Sequence, residues 1–241
     1  MKIRTVISII QNLPKTIYFN FHYLPFKQAM KLPIIFMSGI RLDEIKGSVE
    51  FSCLPKTGMV RIGSGHNSLY LQKNYQCVWA NYGGKVIFGE KVYLSKGVAI
   101  EVGQHGNLIF GDNVIFGVLS RIACYKEVQI GQNSRFSWEI IVTDTDFHHT
   151  INATTGDKSV MCKTVRIGKN NWIGIRSFIM KGTQTPDYCT VSGYSVLNKK
   201  YDLPNYSIIG GIPAKLLKEG WYRDLNSHVN DLEQAKINKS N

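Results

Sequence analysis

The chain has 241 residues, with 44% hydrophobic and 19% charged residues, a globular and not a disordered composition. Its 29 basic and 17 acidic residues leave a net charge of +12, which suits an anionic partner. No basic run or aromatic-rich motif points to nucleic acid, and no apolar run approaches the ~20 residues that span a bilayer.

Residues 1–57 read as a basic, apolar extension. Lys2, Arg4, Lys15, Lys27, Lys31 and Arg41 precede the first acid, Asp43, and Pro14, Pro25 and Pro33 break the apolar patches between them. Such a segment either lies on an anionic membrane surface or packs on its own core or a partner subunit. The five cysteines, Cys53, Cys77, Cys124, Cys162 and Cys189, are scattered and odd in number, without a CxxC pair. That pattern predicts neither a disulfide framework nor a zinc site and favours a reducing, cytoplasmic setting.

Residues 58–217 carry a period of six. Ile167, Ile173, Ile179, Thr185, Val191 and Leu197 recur at that step, and small residues (Ser177, Thr183, Cys189, Ser195) stand two before the later ones. Side chains alternate along a strand, so each hexad offers one aliphatic and one small residue to a common interior. Phe88, Leu94 and Ile100, then Phe110, Phe116 and Ile122, then Ile130, Phe136 and Val142, obey the same rule. Aliphatic- or aromatic-glycine pairs at 62, 88, 110, 130 and 167 open the blocks. Three hexads close one coil of a triangular prism, an all-β parallel β-helix whose coils stack at roughly 4.8 Å. A helix would need a period near 3.6 and a sandwich irregular turns. Periodicity does not give the hand, and ordinary parallel crossovers are right-handed.

Between Val142 and Ile167 the hexads stop, and loop 143–166 opens with Asp144, Asp146, His148 and His149. Long loops without regular structure are commonly functional. Residues 218–241 read as a short surface helix and tail.

The hexads, KNNWIG at 169–174 and GGIPAKLLK at 210–218 together resemble the hexapeptide-repeat acyltransferases, within them the O-acetyltransferases of sugars and surface polysaccharides. The resemblance covers roughly residues 58–218. It implies a left-handed β-helix, a homotrimer, acetyl-CoA as donor, and active sites between subunits with the loop reaching over a neighbour. The chemistry needs a base near a sugar hydroxyl, a group orienting that base, and direct transfer without a covalent intermediate. By D-x-H resemblance His148 is the base and Asp146 its orienter, with His149 as the alternate base. The galactoside and maltose branch has histidine where Thr145 stands, which separates this chain from that branch. Trp172 should face outward and flank the pantetheine arm or a subunit contact. The resemblance implies Gly174, Ile175 and Gly193 along the arm, Asn198 and Lys199 beyond, and Lys215 and Lys218 at the nucleotide phosphates. Arg121, Arg135 and Trp138 face outward where an acceptor could touch them.

N-acetyl transfer to an amino sugar would use the same base, and a non-catalytic scaffold would use none. A zinc-dependent carbonic anhydrase of this coil type would need His66 or His105 beside the paired histidines, which is poor spacing for ligands. A sugar-nucleotide transferase would need a large preceding α/β domain that 57 residues cannot hold.

Overall fold

The computed structural model describes residues 3–65 and 75–224, with side chains from Val6 onward. Helix α1 (Ile3–Tyr23) and the short α2 (Phe26–Ala29) precede strands β1 (Ile34–Phe36), β2 (Ile40–Ile45) and β3 (Ser48–Phe51). These three strands form the first coil of a three-sided parallel β-helix. β1 pairs with Val60–Ser64, β2 with Cys77–Asn81 and β3 with Lys85–Phe88, each in parallel. The faces then grow coil by coil, to nine strands on the first and seven and five on the others.

The coils therefore begin at Ile34, inside the expected extension, and not at residue 58. The first coil was hidden because its phase is interrupted twice. The register shifts between Leu42 and Glu44, and an insertion separates Ser64 from Cys77. Ile62–Gly63 also belongs to the first face, whereas Phe88, Phe110, Ile130 and Ile167 end strands of the third. The inward hexad residues are otherwise placed as their period requires, from Phe88 through Leu197, all buried.

In-register pairing fixes what each position must be. Phe88 lies over Phe110, rings stacked with centroids 5.2 Å apart, and Phe116 over Phe136 at 3.9 Å. At one corner Asn113, Asn133 and Asn170 take left-handed backbone angles (φ 55–59°), which asparagine tolerates better than most residues. Their amides form a ladder along the axis, Asn113 Nδ2 donating to Asn133 Oδ1 at 2.9 Å and Asn133 Nδ2 to Asn170 Oδ1 at 3.1 Å. Just before each stands a glycine over which the next coil passes. A Cβ on Gly131 would lie 2.5 Å from Gly168.

The two ends are closed differently. At the far end Ile208–Gly211 turns back into Ala214–Lys218 as an antiparallel pair, the GGIPAKLLK segment. Beyond Lys218 the described residues are not helical, and 225–241, where most of the expected terminal helix falls, lie outside the described residues. At the near end α1 lies along β1. Pro14 sits inside α1 and does not break it, while Pro25 and Pro33 separate the elements that follow. The stripe facing the coil is polar: Ser8, Asn12, Thr16 and Asn20, four residues apart. Asn20 Nδ2 donates to the Ile34 carbonyl at 2.7 Å and its Oδ1 accepts from Ile34 N–H at 3.2 Å. Thr16 Oγ1 accepts from Phe36 N–H, and Ser8 Oγ donates to the Met37 carbonyl. Lys15 Nζ donates to the Ile40 carbonyl at 2.7 Å, and Tyr23 Oη to that of Lys46. Side chains thus satisfy a strand edge that meets no further strand among the described residues. Phe19, fully buried, adds the apolar contact, edge-on to Phe36 and Trp79.

Asn20→Ala would strand a buried N–H and a buried carbonyl of Ile34. It should cost about 2–4 kcal/mol in urea unfolding, against less than about 0.5 kcal/mol for Gln11→Ala on the exposed side.

Candidate functional site

The loop leaves the second face after Ile141–Thr143 and rejoins the third at Val165–Ile167. Its first residue after the strand, Asp144, is fully buried and makes the turn possible. The carboxylate accepts three backbone N–H bonds from the preceding corner: Tyr125 on Oδ1 at 2.8 Å, and Lys126 and Glu127 on Oδ2, both at 2.7 Å. Phe147 then packs edge-on against Tyr125, ring centroids 5.3 Å apart, and Tyr125 Oη donates to Glu101. Burial and the Asp144 charge push the neighbouring Cys124 thiol up, so this cysteine is a packing group, not a nucleophile. All five cysteines are unpaired.

Beyond this root the loop is a two-legged antiparallel excursion. Thr145 bridges Cys162 and Ile151 bridges Lys158. At the tip, Thr154 and Thr155 N–H donate to Asn152 Oδ1. The segment lacked hexads because it is a hairpin standing off the coil, and most of it from Asp146 to Val160 is exposed.

The expected Asp146–His148 pair is not formed. Asp146 Oδ2 instead meets Lys181 Nζ at 2.5 Å. The reason lies between them. Phe147 has φ 60°, so the backbone is not extended there and the i, i+2 side chains do not share a face. Lys181 also donates to the Val160 carbonyl at 2.5 Å, tying both legs of the hairpin to the coil. His148 is exposed and has no hydrogen-bond partner among the described residues. His149 has one: its Nδ1 lies 2.7 Å from the Ser159 carbonyl oxygen across the hairpin. A carbonyl only accepts, so Nδ1 carries the proton, and in the neutral ring Nε2 presents its lone pair to solvent. The histidine with an orienting partner is therefore His149, and that partner is a main-chain carbonyl.

At the foot of the hairpin a cleft of about 400 Å³ is lined by Asp146, Lys163, Met180, Lys181, Gly182, Asn198, Lys199 and Lys200. The fold thus brings Asp146 together with Asn198 and Lys199. Lys181 is paired with Asp146 and Lys200 with Asp202, both at 2.5 Å, so Lys163 and Lys199 supply the excess positive charge that makes the cleft a place for an anion. Lys163, Lys181 and Lys200 were not singled out from the sequence, yet a signal was present. Lys163, Lys181 and Lys199 are 18 residues apart (181 − 163 and 199 − 181), three hexads, and so fall at one corner of successive coils.

The remaining expected donor-binding residues lie elsewhere on the coil. Trp172 does face outward on the first face, its indole N–H donating to Ser137 Oγ at 3.2 Å beneath the Arg223 guanidinium. Gly174 is buried, because the next coil passes over it. A Cβ there would meet Gly193 N at 2.4 Å, so this glycine is required by stacking whatever binds nearby. Ile175 is half-buried and Gly193 exposed at that same corner. Lys215 and Lys218 are exposed on the final antiparallel strand, with Lys218 Nζ 3.4 Å above the Trp221 ring. Arg121 is exposed, while Arg135 is half-buried, its guanidinium bonded to the Asn113 carbonyl and side chain. Among the described residues no three His, Cys, Asp or Glu side chains are placed to hold a metal ion.

This chain is similar to a protein of Mycobacterium tuberculosis named as a probable acetyltransferase. They are 30% identical over 138 residues, 56% of this chain and 43% of that protein. It is also similar to WbbJ of Escherichia coli K12, by name a candidate lipopolysaccharide biosynthesis O-acetyl transferase. There the identity is 26% over 144 residues, 56% of this chain and 72% of the relative. The match thus spans less than half the length of the mycobacterial relative. Among solved structures, an N-acyltransferase of Bacillus cereus, AntD, bound to an amino-sugar nucleotide and coenzyme A, superposes with a TM-score of 0.47. Its sequence identity is 12%, over 86% of this chain and 88% of that one. No family model matches the sequence.

Asp144→Ala would leave three N–H groups at the loop root without their acceptor. It should cost about 3–5 kcal/mol by urea unfolding, while Asp157→Ala at the exposed tip stays within about 0.5 kcal/mol.

Proposed function

We propose that this chain is an acetyltransferase that moves the acetyl group of acetyl-CoA to a hydroxyl of a sugar, within a surface polysaccharide or its precursor. The single observation that carries the reading is His149, a histidine on an inserted hairpin whose tautomer is set by a backbone carbonyl and whose Nε2 is open to an acceptor. The alignments with two proteins named as acetyltransferases, one of them in lipopolysaccharide biosynthesis, support the reaction class. The lysine-lined cleft beside the hairpin suits the phosphates of a coenzyme A donor.

In this reading Nε2 of His149 accepts the proton of the acceptor hydroxyl as its oxygen attacks the thioester carbonyl. The tetrahedral adduct collapses, the carbon–sulfur bond breaks, and the imidazolium returns its proton to the departing thiolate. The products are the O-acetyl sugar and free coenzyme A. His148, one residue closer to the root but without an orienting contact, is the second candidate. Asp146 acts through Lys181, holding the hairpin against the coil. The hairpin is tied to the coil at its foot but mostly exposed from Asp146 to Val160, so we also propose a homotrimer in which each hairpin meets a neighbouring copy.

Thiol release from acetyl-CoA with a panel of sugar acceptors tests the assignment. His149→Ala should lower kcat by roughly 10²-fold or more with little change in acetyl-CoA KM, and His148→Ala by less than about tenfold. The reverse ranking would move the base to His148, and absence of acceptor-dependent thiol release would remove the transferase reading. Light scattering should return three times the 27.2 kDa chain mass, and a monomer would leave the hairpin without its neighbour.

A further inference from the structure

Amphipathic helices of water-soluble domains turn their apolar side to the core. Helix α1 turns Phe19 inward but the longer arc of its apolar side chains outward. The stripe it presents to the coil is Ser8, Asn12, Thr16 and Asn20; Ser8, Thr16 and Asn20 bond backbone groups of β1 and its flank, and Asn12 donates to the Ser8 carbonyl of its own helix. At 100° per residue, the arc turned away from the coil is Leu13, Val6, Ile17, Ile10, Phe21 and Ile7, with Tyr18 at its border. All of these are exposed, Ile10 to 63% and Ile7 to 49%. The same surface continues into α2 through Phe21 and Phe26, whose rings meet at 5.8 Å. It ends on Phe26 and Met30, exposed to 69% and 60%. An exposed apolar patch this continuous is not ordinary surface.

Its charge identifies the occupant. No acid occurs before Asp43, while Lys27 and Lys31 are exposed beside Phe26 and Met30. The nearest acids in sequence are already matched, Asp43 with Arg41 at 2.7 Å and Glu44 with Lys46 at 3.3 Å. A second copy docking by this face would bring lysine toward lysine with no carboxylate of the face to meet them. A lipid surface with anionic headgroups supplies both an apolar layer for the isoleucines and phenylalanines and counter-charge for the lysines. No helix among the described residues is long and apolar enough to cross a membrane, so the geometry is one of lying in the interface, not spanning.

We infer that the outward face of α1 and α2 docks this protein onto an anionic lipid surface, with the β-helix standing off the membrane behind the helix. The inference does not depend on the transfer chemistry, and its test reads partition alone.

The full chain is sedimented with vesicles of phosphatidylcholine, with and without phosphatidylglycerol, at low and high salt. The wild type should pellet with the anionic vesicles, and less so as salt rises. Ile10→Glu/Ile17→Glu should cut the partition coefficient by more than about tenfold. Lys27→Gln/Lys31→Gln should cut it by about fivefold per lysine on anionic vesicles, with little change on neutral ones. All four side chains are exposed, so urea midpoints should match wild type and a folding defect would be seen separately. Wild type that stays in the supernatant at low salt, or an isoleucine variant that partitions equally, overturns the inference. Loss of self-association in that variant, without vesicle uptake by wild type, would assign the face to a second copy instead.

Discussion

Backbone pairing between successive coils governs nearly everything else in this molecule. Most strands lie in register between the strand of the previous coil and that of the next, so a residue's neighbours along the axis are the residues at the same place one turn away. Chemistry must then repeat in columns: phenylalanine over phenylalanine inside, asparagine over asparagine at a corner, glycine wherever the next coil passes too closely for a Cβ. The same rule leaves two places where it cannot be met, the ends of the stack and any interruption in it. At the near end, α1 supplies side-chain donors and acceptors in place of a missing strand. At the interruption, Asp144 supplies one carboxylate in place of three missing acceptors. Both are polar solutions to the same deficit of backbone partners.

The coil from Phe88 onward was legible because a period of six is a statement about one face at a time, and it holds without knowledge of distant residues. The first coil was not legible for the converse reason. The shift at Leu42–Glu44 and the long connection after Ser64 destroy phase, although β1, β2 and β3 each pair in parallel with the next coil. Pro14 misled in another way. It removes one helical hydrogen bond on the side of α1 facing away from the coil, where the cost falls on a solvent-facing carbonyl, and so the helix runs through it.

Within the hairpin the residue types were legible and their pairing was not. The spacing of Asp146 and His148 places two side chains together only on an extended chain, and the left-handed turn at Phe147 cancels it. Lys181 and Ser159, the partners that matter, are 35 residues after Asp146 and ten after His149 (181 − 146 and 159 − 149), distances a local motif cannot encode. The lysine cleft sits between these cases. Its spacing of 18 is one full coil, so the same reasoning that found the core finds the cleft once outward positions are read as columns too.

A carbonyl orienting His149, in place of a carboxylate, has a chemical consequence for the proposed transfer. A carbonyl fixes the tautomer by accepting the hydrogen bond from Nδ1–H, with no carboxylate placed at the ring among the described residues. A thiolate is a far better leaving group than an alkoxide, so the collapse of the adduct needs little help. In the proposed reading the phosphates of the donor would meet the cleft lined by Lys163, Lys181, Lys199 and Lys200. Asp146 neutralises one of these ammonium groups and fixes it to the hairpin, so that the positive field and the histidine are held by the same contact. In the proposed reading a change at Lys181 should accordingly disturb both donor affinity and the position of the base, whereas a change at Lys199 should reach the donor alone.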